Sequence, residues 1–511
     1  GLPEWANKYG KLADDLYEGM NKHLWMDDKG VYAIYLYGRN HLVQHPQMEI
    51  LGESFAILWD IASAERQQRI SQSMISEPFG TPDFYPNLAD QFPYHNDAMW
   101  PFTQGYWMKA QAKAGNEEGV LHSISSIYRL AAMNLTNLEN MVIFNGNDKG
   151  IPINSPRQLW SVAAQAAIVP NIYFGISYHT DGIHFAPFVP KKLKANRELS
   201  NFKYRDAVLD LRISGFGANI KSFKLDGIEC DPHIPADIAG NHLVEIALDN
   251  VQPEKKTITI CGNAYQPVTP VARLEGNSMV WDKVAEAANY IVICNGKDVA
   301  SLDAATLSYA LPSDGEYSVL AVNAEGYRGY MSEPVLYYNN VQLIDVAKFA
   351  LPFDPKRAQV KESAGAGGGL AGEAHDRIEI PTLDGVDVSG AQGRIAMITR
   401  NENTLINITV DIPQSGVYAI DWRYANGNGP INTDNKCATR LLSVDGAYKG
   451  AVVFPHRGTG EWNNWGWSNV NTVSLSEGRH VITLEFCEYV ENMNLIVNQA
   501  LLDVLRISKL R

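Results

Sequence analysis

Through roughly residue 178, apolar residues recur at helical spacing in segments separated by Gly, Pro and Asn. The pattern predicts helices over 51–64, 100–114, 117–133 and 156–167. A further amphipathic stretch over 64–74 completes a helical hairpin with the first of them. From His179 the pattern changes to alternation, as in Ala207-Val-Leu-Asp-Leu-Arg-Ile-Ser214 and Thr257-Ile-Thr-Ile-Cys261, between Gly- and Asn-rich turns. That is the signature of half-buried strands.

The strand-rich part divides into three. One β-sandwich is expected over 179–266, ending at a linker, Gln266-Pro-Val-Thr-Pro270. A small sandwich is expected over 267–340, carrying Asn289-Tyr-Ile-Val-Ile-Cys294 and Glu316-Tyr-Ser-Val-Leu-Ala-Val-Asn323. This short-strand spacing resembles a fibronectin type III module, which implies a spacer. A third sandwich, over 341–511, carries Gly416-Val-Tyr-Ala-Ile-Asp-Trp-Arg-Tyr424, His480-Val-Ile-Thr-Leu-Glu-Phe486 and Leu501-Leu-Asp-Val-Leu-Arg-Ile507. The run Ser363-Ala-Gly-Ala-Gly-Gly-Gly-Leu370 reads as a loop. It lacks the Lys-Ser/Thr end of a phosphate loop.

At 511 residues the chain holds three or four domains of about 100–200 residues each. A net charge of −14 argues against nucleic acid as partner, because phosphate backbones call for clustered Lys and Arg. Neutral ligands fit better: the 11 Trp and 24 Tyr could stack on sugar rings, although most aromatic residues fill cores. The five cysteines show no C-x-x-C spacing, so neither a zinc site nor a disulfide framework is indicated. Cys437 and Cys487 fall on separate strands of one module, and buried free thiols are the expectation for them. No apolar run approaches the ~20 residues of a membrane span. No signal peptide opens the sequence, which does not argue against export.

Three stretches of the helical region carry candidate chemistry. Glu49 and Glu53 lie four apart on one helix face, where a solvated surface is the ordinary reading of two carboxylates. Tyr94-His-Asn-Asp-Ala-Met-Trp-Pro101 packs donors, acceptors and a stacking face ahead of a helix. Its bland alternative is a cap at Asn96 or Asp97 with Trp100 in the core. Leu138-Glu-Asn-Met-Val-Ile-Phe-Asn-Gly146 precedes Ser155-Pro-Arg-Gln-Leu-Trp-Ser-Val-Ala-Ala164, where a polar loop feeds another helix.

Taken in order, the second and third stretches resemble the closing hairpins of the (α/α)6 six-hairpin glycosidases of the glycogen-debranching and GH63 type. The resemblance implies a multidomain α + β protein, α/α-toroid helical hairpins over 1–178 followed by three β-sandwich modules. It gives Glu139 the role of general base, and Tyr94, His95, Asn96, Trp100, Gln158 and Trp160 the lining of a sugar pocket. Asp97 departs from the small residue usual at its position and is a candidate for sugar binding or for the acid. Glu53 and Glu49 are further acid candidates. A toroid of six hairpins needs about twelve helices, and about 180 residues supply half of them. The other half of the barrel is therefore an expected partner.

In the last module, Ser415-Gly-Val-Tyr-Ala-Ile-Asp-Trp-Arg-Tyr424, Trp462-Asn-Asn-Trp-Gly-Trp-Ser-Asn-Val470 and Leu501-Leu-Asp-Val504 resemble carbohydrate-binding modules of the CBM6/CBM35 type. The resemblance implies a loop-built site at Trp462, Asn463, Asn464, Trp465 and Trp467, and a structural calcium with Asp503 as ligand. The matching N-terminal Glu is not evident.

The leading expectation is a glycoside hydrolase acting on a poly- or oligosaccharide with inversion, using two carboxylates and no cofactor for catalysis. One alternative is a non-catalytic carbohydrate-binding protein. Another is a polysaccharide lyase, in which Tyr94, His95, Asn96 and Arg157 abstract a proton beside a uronate. Such module strings resemble those of polysaccharide-degrading bacteria, which implies a periplasmic, cell-surface or secreted protein.

Overall fold

The computed structural model describes residues 2–151, 154–356, 383–429, 436–492 and 497–510. The run Ser363 to Leu370 lies outside the described residues.

Among the described residues there are six α-helices: α1 Pro3–His23, α2 Ile50–Leu58, α3 Ala64–Ser73, α4 Pro101–Lys113, α5 Glu117–Asn134 and α6 Leu159–Ala167. Their starts are written locally. Ser63 caps α3 by accepting from the Arg66 N–H, and Asn116 caps α5 by accepting from the Gly119 N–H. Pro101 opens α4, where its missing N–H costs nothing. α6 runs on into a π-helical turn, Ile168–Tyr173.

The expected α/α-toroid followed by sandwiches is corrected by this architecture. Strands take 38% of the chain and helices 20%, so the molecule is mostly β. The stretches between the helices fold as two-residue ladders rather than as further helices. Met48–Glu49 pairs with Phe84–Tyr85, and Ala98–Met99 with Met141–Val142. The physical reason is local: α2 is followed by Asp60 and α5 by Leu135, both with left-handed backbone, and the segments beyond hold turn residues and short β runs. Helical periodicity announces that helices exist and says nothing about whether they close a ring.

α4, α5 and α6 do not stand apart from the strands that follow. Met108, Ile124 and Ala164 share one buried core with Leu209, Leu211, Phe223 and Ile246. The last four belong to a five-stranded sheet in the order Arg197–Tyr204, Asp206–Ser214, Ala239–Leu248, Ile220–Leu225, Ile228–Glu229. Its central pair is parallel, aligning Asp206 with Ala239 through to Ser214 with Ala247.

Beyond it, a three-stranded and a four-stranded antiparallel sheet enclose Met279, Trp281, Tyr290, Tyr317 and Val319. A six-stranded and a four-stranded sheet then enclose Ile406, Ile408, Trp422, Phe454, Leu484 and Leu505. Strand Leu405–Ile412 alternates strictly between exposed and buried positions, the pattern of a strand with one face on the core.

The N-terminal region is keyed to both later units. Arg39 donates to the buried Asp421 carboxylate at 3.0 Å and to the Trp467 carbonyl at 2.9 Å. Asn40 donates to Glu316, and the Tyr37 hydroxyl accepts from the Met331 N–H at 2.9 Å.

Candidate functional site

The ladder that pairs Met99 with Met141 is what assembles the site. It runs the loop 94–97 alongside Glu139, and the Ile143 N–H ties the two by donating to the Asp97 carbonyl at 2.8 Å. Glu139 is 5% exposed, and its carboxylate spans two loops. Oε2 accepts from the Ser155 N–H at 2.9 Å, and Oε1 faces the Tyr94 hydroxyl at 3.4 Å. Burial pushes the Tyr94 phenol up, and the neighbouring Glu139 adds to the shift.

Tyr94 joins this carboxylate to an aromatic shelf, its ring 4.7 Å from that of His95 and 5.1 Å from that of Trp100. His95 stacks on Trp100 with centroids 4.7 Å apart and planes 6° from parallel. Its Nδ1 is 3.4 Å from an oxygen of Asp83. Trp160 stands edge-on to Trp100 at 5.7 Å, stacks on Phe102 at 4.9 Å, and is 42% exposed. Arg157 is exposed with left-handed backbone, and Gln158 is the half-buried N-cap residue of α6. Tyr94, His95, Trp160 and Glu139 thus form one connected group.

Other candidates do different work. Trp100 is 1% exposed and donates its indole N–H to the Tyr94 carbonyl at 2.8 Å, which makes it the floor of the shelf. Asn96 fixes the loop by bonding Leu88 through both its N–H and its carbonyl. Asp97 is buried, with left-handed backbone, and its carboxylate accepts from Asn96 and Asn263. Burial raises its pKa. Glu49 caps α2 by accepting from Leu51 and Gly52, so the pair Glu49 and Glu53 is not a wet surface face. Glu53 is buried, accepts from the Tyr32 N–H at 2.6 Å, and is raised well above the ordinary carboxylate range by burial. None of its described partners belongs to the shelf. A cleft of about 410 Å³, lined by Gln44, Pro86, Asp298 and Arg328 among others, involves none of the candidate catalytic or sugar-binding residues.

Four residues of this region escaped sequence reasoning: Glu77, Asp83, Asn263 and Tyr265. Asn263 is 166 positions from Asp97, and a short parallel pairing of Tyr265–Gln266 with Asn87–Leu88 brings it there. No local spacing could have announced it. Asp83 and Glu77 sit in turn-rich segments without a motif. Both carboxylate oxygens of Glu77 are buried and find no hydrogen-bond donor among the described residues. Burial first, then the charge of Asp97, pushes its pKa up to about 7 from 4.5.

A raised carboxylate pKa means that the folded chain holds the Glu77 proton more tightly than the unfolded chain does. The associated stabilisation is fully present below pH 4.5 and is lost as pH rises through about 7. Glu77→Gln should therefore flatten the decline in urea midpoint across that window. Identical pH profiles for the wild type and the variant would refute the shift.

In the last module, Trp462 is 5% exposed and packs over Gly427, where an added Cβ would lie 2.7 Å from its ring. Trp465 is half-buried, donates Nε1–H to the Ser389 carbonyl at 2.8 Å, and has the Arg423 guanidinium 5.2 Å from its ring centroid. Trp467 is covered by the Arg506 guanidinium at 3.4 Å, beside the Arg39 contact. Asn463 donates to Asp387 at 2.7 Å, while Asn464 donates to the Arg457 carbonyl at 2.8 Å and to Glu461 at 2.9 Å. The loop 387–390 therefore gathers Asn463 and Trp465, while Trp462 is core.

Asp503 is fully buried. One of its carboxylate oxygens accepts from Arg423 and from the Gln392 N–H, and the other has no hydrogen-bond donor among the described residues. Calcium needs six to eight oxygen ligands. An ion pair to a guanidinium does not supply that shell.

No family model matches the chain. It is similar to a 1,6-alpha-glucosyltransferase of Sporosarcina globispora, 27% identical over 226 residues, which are 42% of this chain and 15% of that protein. It is also similar to a cycloisomaltooligosaccharide glucanotransferase of Niallia circulans, 35% identical over 82 residues, 16% of this chain and 7% of that one. The similarity thus spans a small part of either relative. Among solved structures, a Paenibacillus cycloisomaltooligosaccharide glucanotransferase is 26% identical over 23% of this chain and 15% of its own, with a TM-score of 0.19. A family 35 carbohydrate binding module from Clostridium thermocellum is 22% identical over 23% of this chain and 81% of its own, with a TM-score of 0.18. TM-scores this low establish no shared fold.

Proposed function

We propose that the chain acts on a poly- or oligosaccharide, with Glu139 as the base of a glycosidic-bond hydrolysis and residues 341–511 holding the glycan. The observation that carries this reading is the group at Glu139: a carboxylate fixed on one oxygen by the Ser155 N–H and met on the other by Tyr94, whose ring packs with His95 and Trp100, with the part-exposed Trp160 edge-on to Trp100. With Oε2 fixed, Oε1 is held only by the long 3.4 Å contact from the Tyr94 hydroxyl and would orient water, and the indole of Trp160 offers an apolar face to a sugar ring. The partial similarity to enzymes named as glucosyl- and glucanotransferases supports carbohydrate chemistry in general. A sugar hydroxyl in place of water at the same base would give transfer instead of hydrolysis.

A second reading, β-elimination, draws on the Asp83–His95 pair beside the Tyr94 hydroxyl, with Arg157 to hold a uronate. Product chemistry separates the readings. Incubation with a glycan panel should release saturated reducing sugar. Products absorbing in the ultraviolet from a new C=C bond would mark elimination, and retention of glycan with no product would mark a binding protein.

Retention itself should depend on Trp465. Stacking on a ring contributes about 1 kcal/mol, so Trp465→Ala should weaken glycan affinity roughly five- to tenfold in a pull-down or affinity gel. Unchanged affinity would place the binding surface elsewhere.

A further inference from the structure

We infer that Asp181, His184 and His233 form a binding site for a divalent transition-metal cation of the zinc type. The hairpin of strands Ile176–Tyr178 and Gly182–Phe185 turns through His179 to Gly182, closed by the His179 N–H donating to the Gly182 carbonyl at 2.8 Å. Strand His233–Pro235 pairs on the other side of Gly182–Phe185 in the register His184 to His233. Residues directly opposite in an antiparallel pair put their side chains on one face, with Cβ atoms about 4.5–5.5 Å apart. The two imidazoles are therefore set side by side by the ladder, not by sequence proximity.

Asp181, at the end of the turn, reaches both. Its carboxylate lies 3.0 Å from His184 Nε2 and 3.7 Å from His233 Nε2. The approach depends on Gly182, whose φ is +151° and where an added Cβ would sit 2.0 Å from the Ile234 carbonyl oxygen. One ligand atom from each of the three residues lies within 4.8 Å of the others. Metal–ligand bonds of about 2.0–2.2 Å put tetrahedral ligand atoms roughly 3.3–3.6 Å apart, so modest side-chain rotations would close the set on an ion.

The donor set selects the metal. Two imidazole nitrogens and one carboxylate suit zinc and its neighbours, whereas calcium and magnesium favour all-oxygen shells. Three protein ligands leave a fourth position. His179, whose ring centroid is 4.4 Å from that of His184, stands close to it and is held by Ser177 Oγ at 3.1 Å. Asp181 and His179 are exposed, so a cation enters from solvent, while Ile183 and Ile234 behind the pair are buried and keep the two strands in register. A bound ion would clip the third strand to the hairpin at the edge of the core shared with the helices.

The test is titration of the purified chain with zinc chloride by calorimetry, with cobalt(II) absorption as the ligand-sensitive readout. The wild type should bind one equivalent at this site, and its cobalt spectrum should lack a thiolate band. His184→Ala with His233→Ala should weaken that equivalent at least ~100-fold. His242→Ala, which removes a separate His–Asp pair with Asp226, should leave it unchanged. An unaltered melting temperature of the metal-free double variant verifies its fold. No saturable binding by the wild type, undiminished binding by the folded double variant, or a thiolate band from cysteine ligation would each overturn the assignment.

Discussion

Glu139→Gln should lower release of reducing sugar by about 10²–10⁴-fold, the contribution typical of a positioned general base. This corresponds to roughly 2.7–5.4 kcal/mol of lost transition-state stabilisation. The amide keeps a carbonyl oxygen that can accept from the Ser155 N–H, so the loops should stay in place. What it loses is the ability to take a proton from water. Initial-rate measurements should therefore show kcat collapsing while KM moves little, because the stacking faces of His95 and Trp160 remain. A loss of only a few-fold, or a loss confined to KM, would remove Glu139 from the chemistry and leave it a pocket wall.

Trp100→Ala should destabilise the fold by about 3–5 kcal/mol, as large-to-small changes at fully buried aromatic positions do. Trp100 is buried with Ala98, Val142 and Ile151, and it also supplies the surface on which His95 lies. Truncation opens a cavity under the shelf and strands the Tyr94 carbonyl that its indole N–H satisfies. Urea unfolding followed by tryptophan fluorescence measures the loss. Trp160→Ala is the contrasting case: the ring is part-exposed, so stability should change by much less while substrate binding weakens. Equal destabilisation by the two substitutions would contradict the division between floor and platform.

The parts legible in the sequence were those written locally. α4 and α5 begin beside Pro101 and Asn116, and apolar spacing within a few turns fixes their faces. The strand runs over 416–424 and 480–486 are equally local, and strands of the last module cover them to within one residue. Ring closure was not legible, because it depends on how many helices meet and what lies between them. Here two-residue ladders lie between them, too short to leave a periodic trace.

The candidate site shows the same divide. The order of the Tyr94 and Glu139 segments suggested their association, and one ladder supplies it. Residue type alone could not separate Trp100 and Trp462, which are core, from Trp160 and Trp465, which reach solvent or a loop. Nor could it show that Glu53 is sealed behind the Tyr32 N–H or that Asn263 reaches Asp97. The pairing of His184 with His233 is a matter of register between two strands separated in the chain by four strands of the neighbouring sheet, which no ligand-spacing rule encodes.

The most direct test of the saccharide site is a structure of the Glu139→Gln chain soaked with an oligosaccharide released from the responsive glycan. A sugar ring should lie on the Trp160 indole, with the scissile bond or its attacking water within hydrogen-bonding reach of position 139 and the Tyr94 hydroxyl. Saccharide bound at Trp465 in the last module alone, with the Glu139 shelf empty at saturating ligand, would contradict the assignment of the shelf as the site of chemistry.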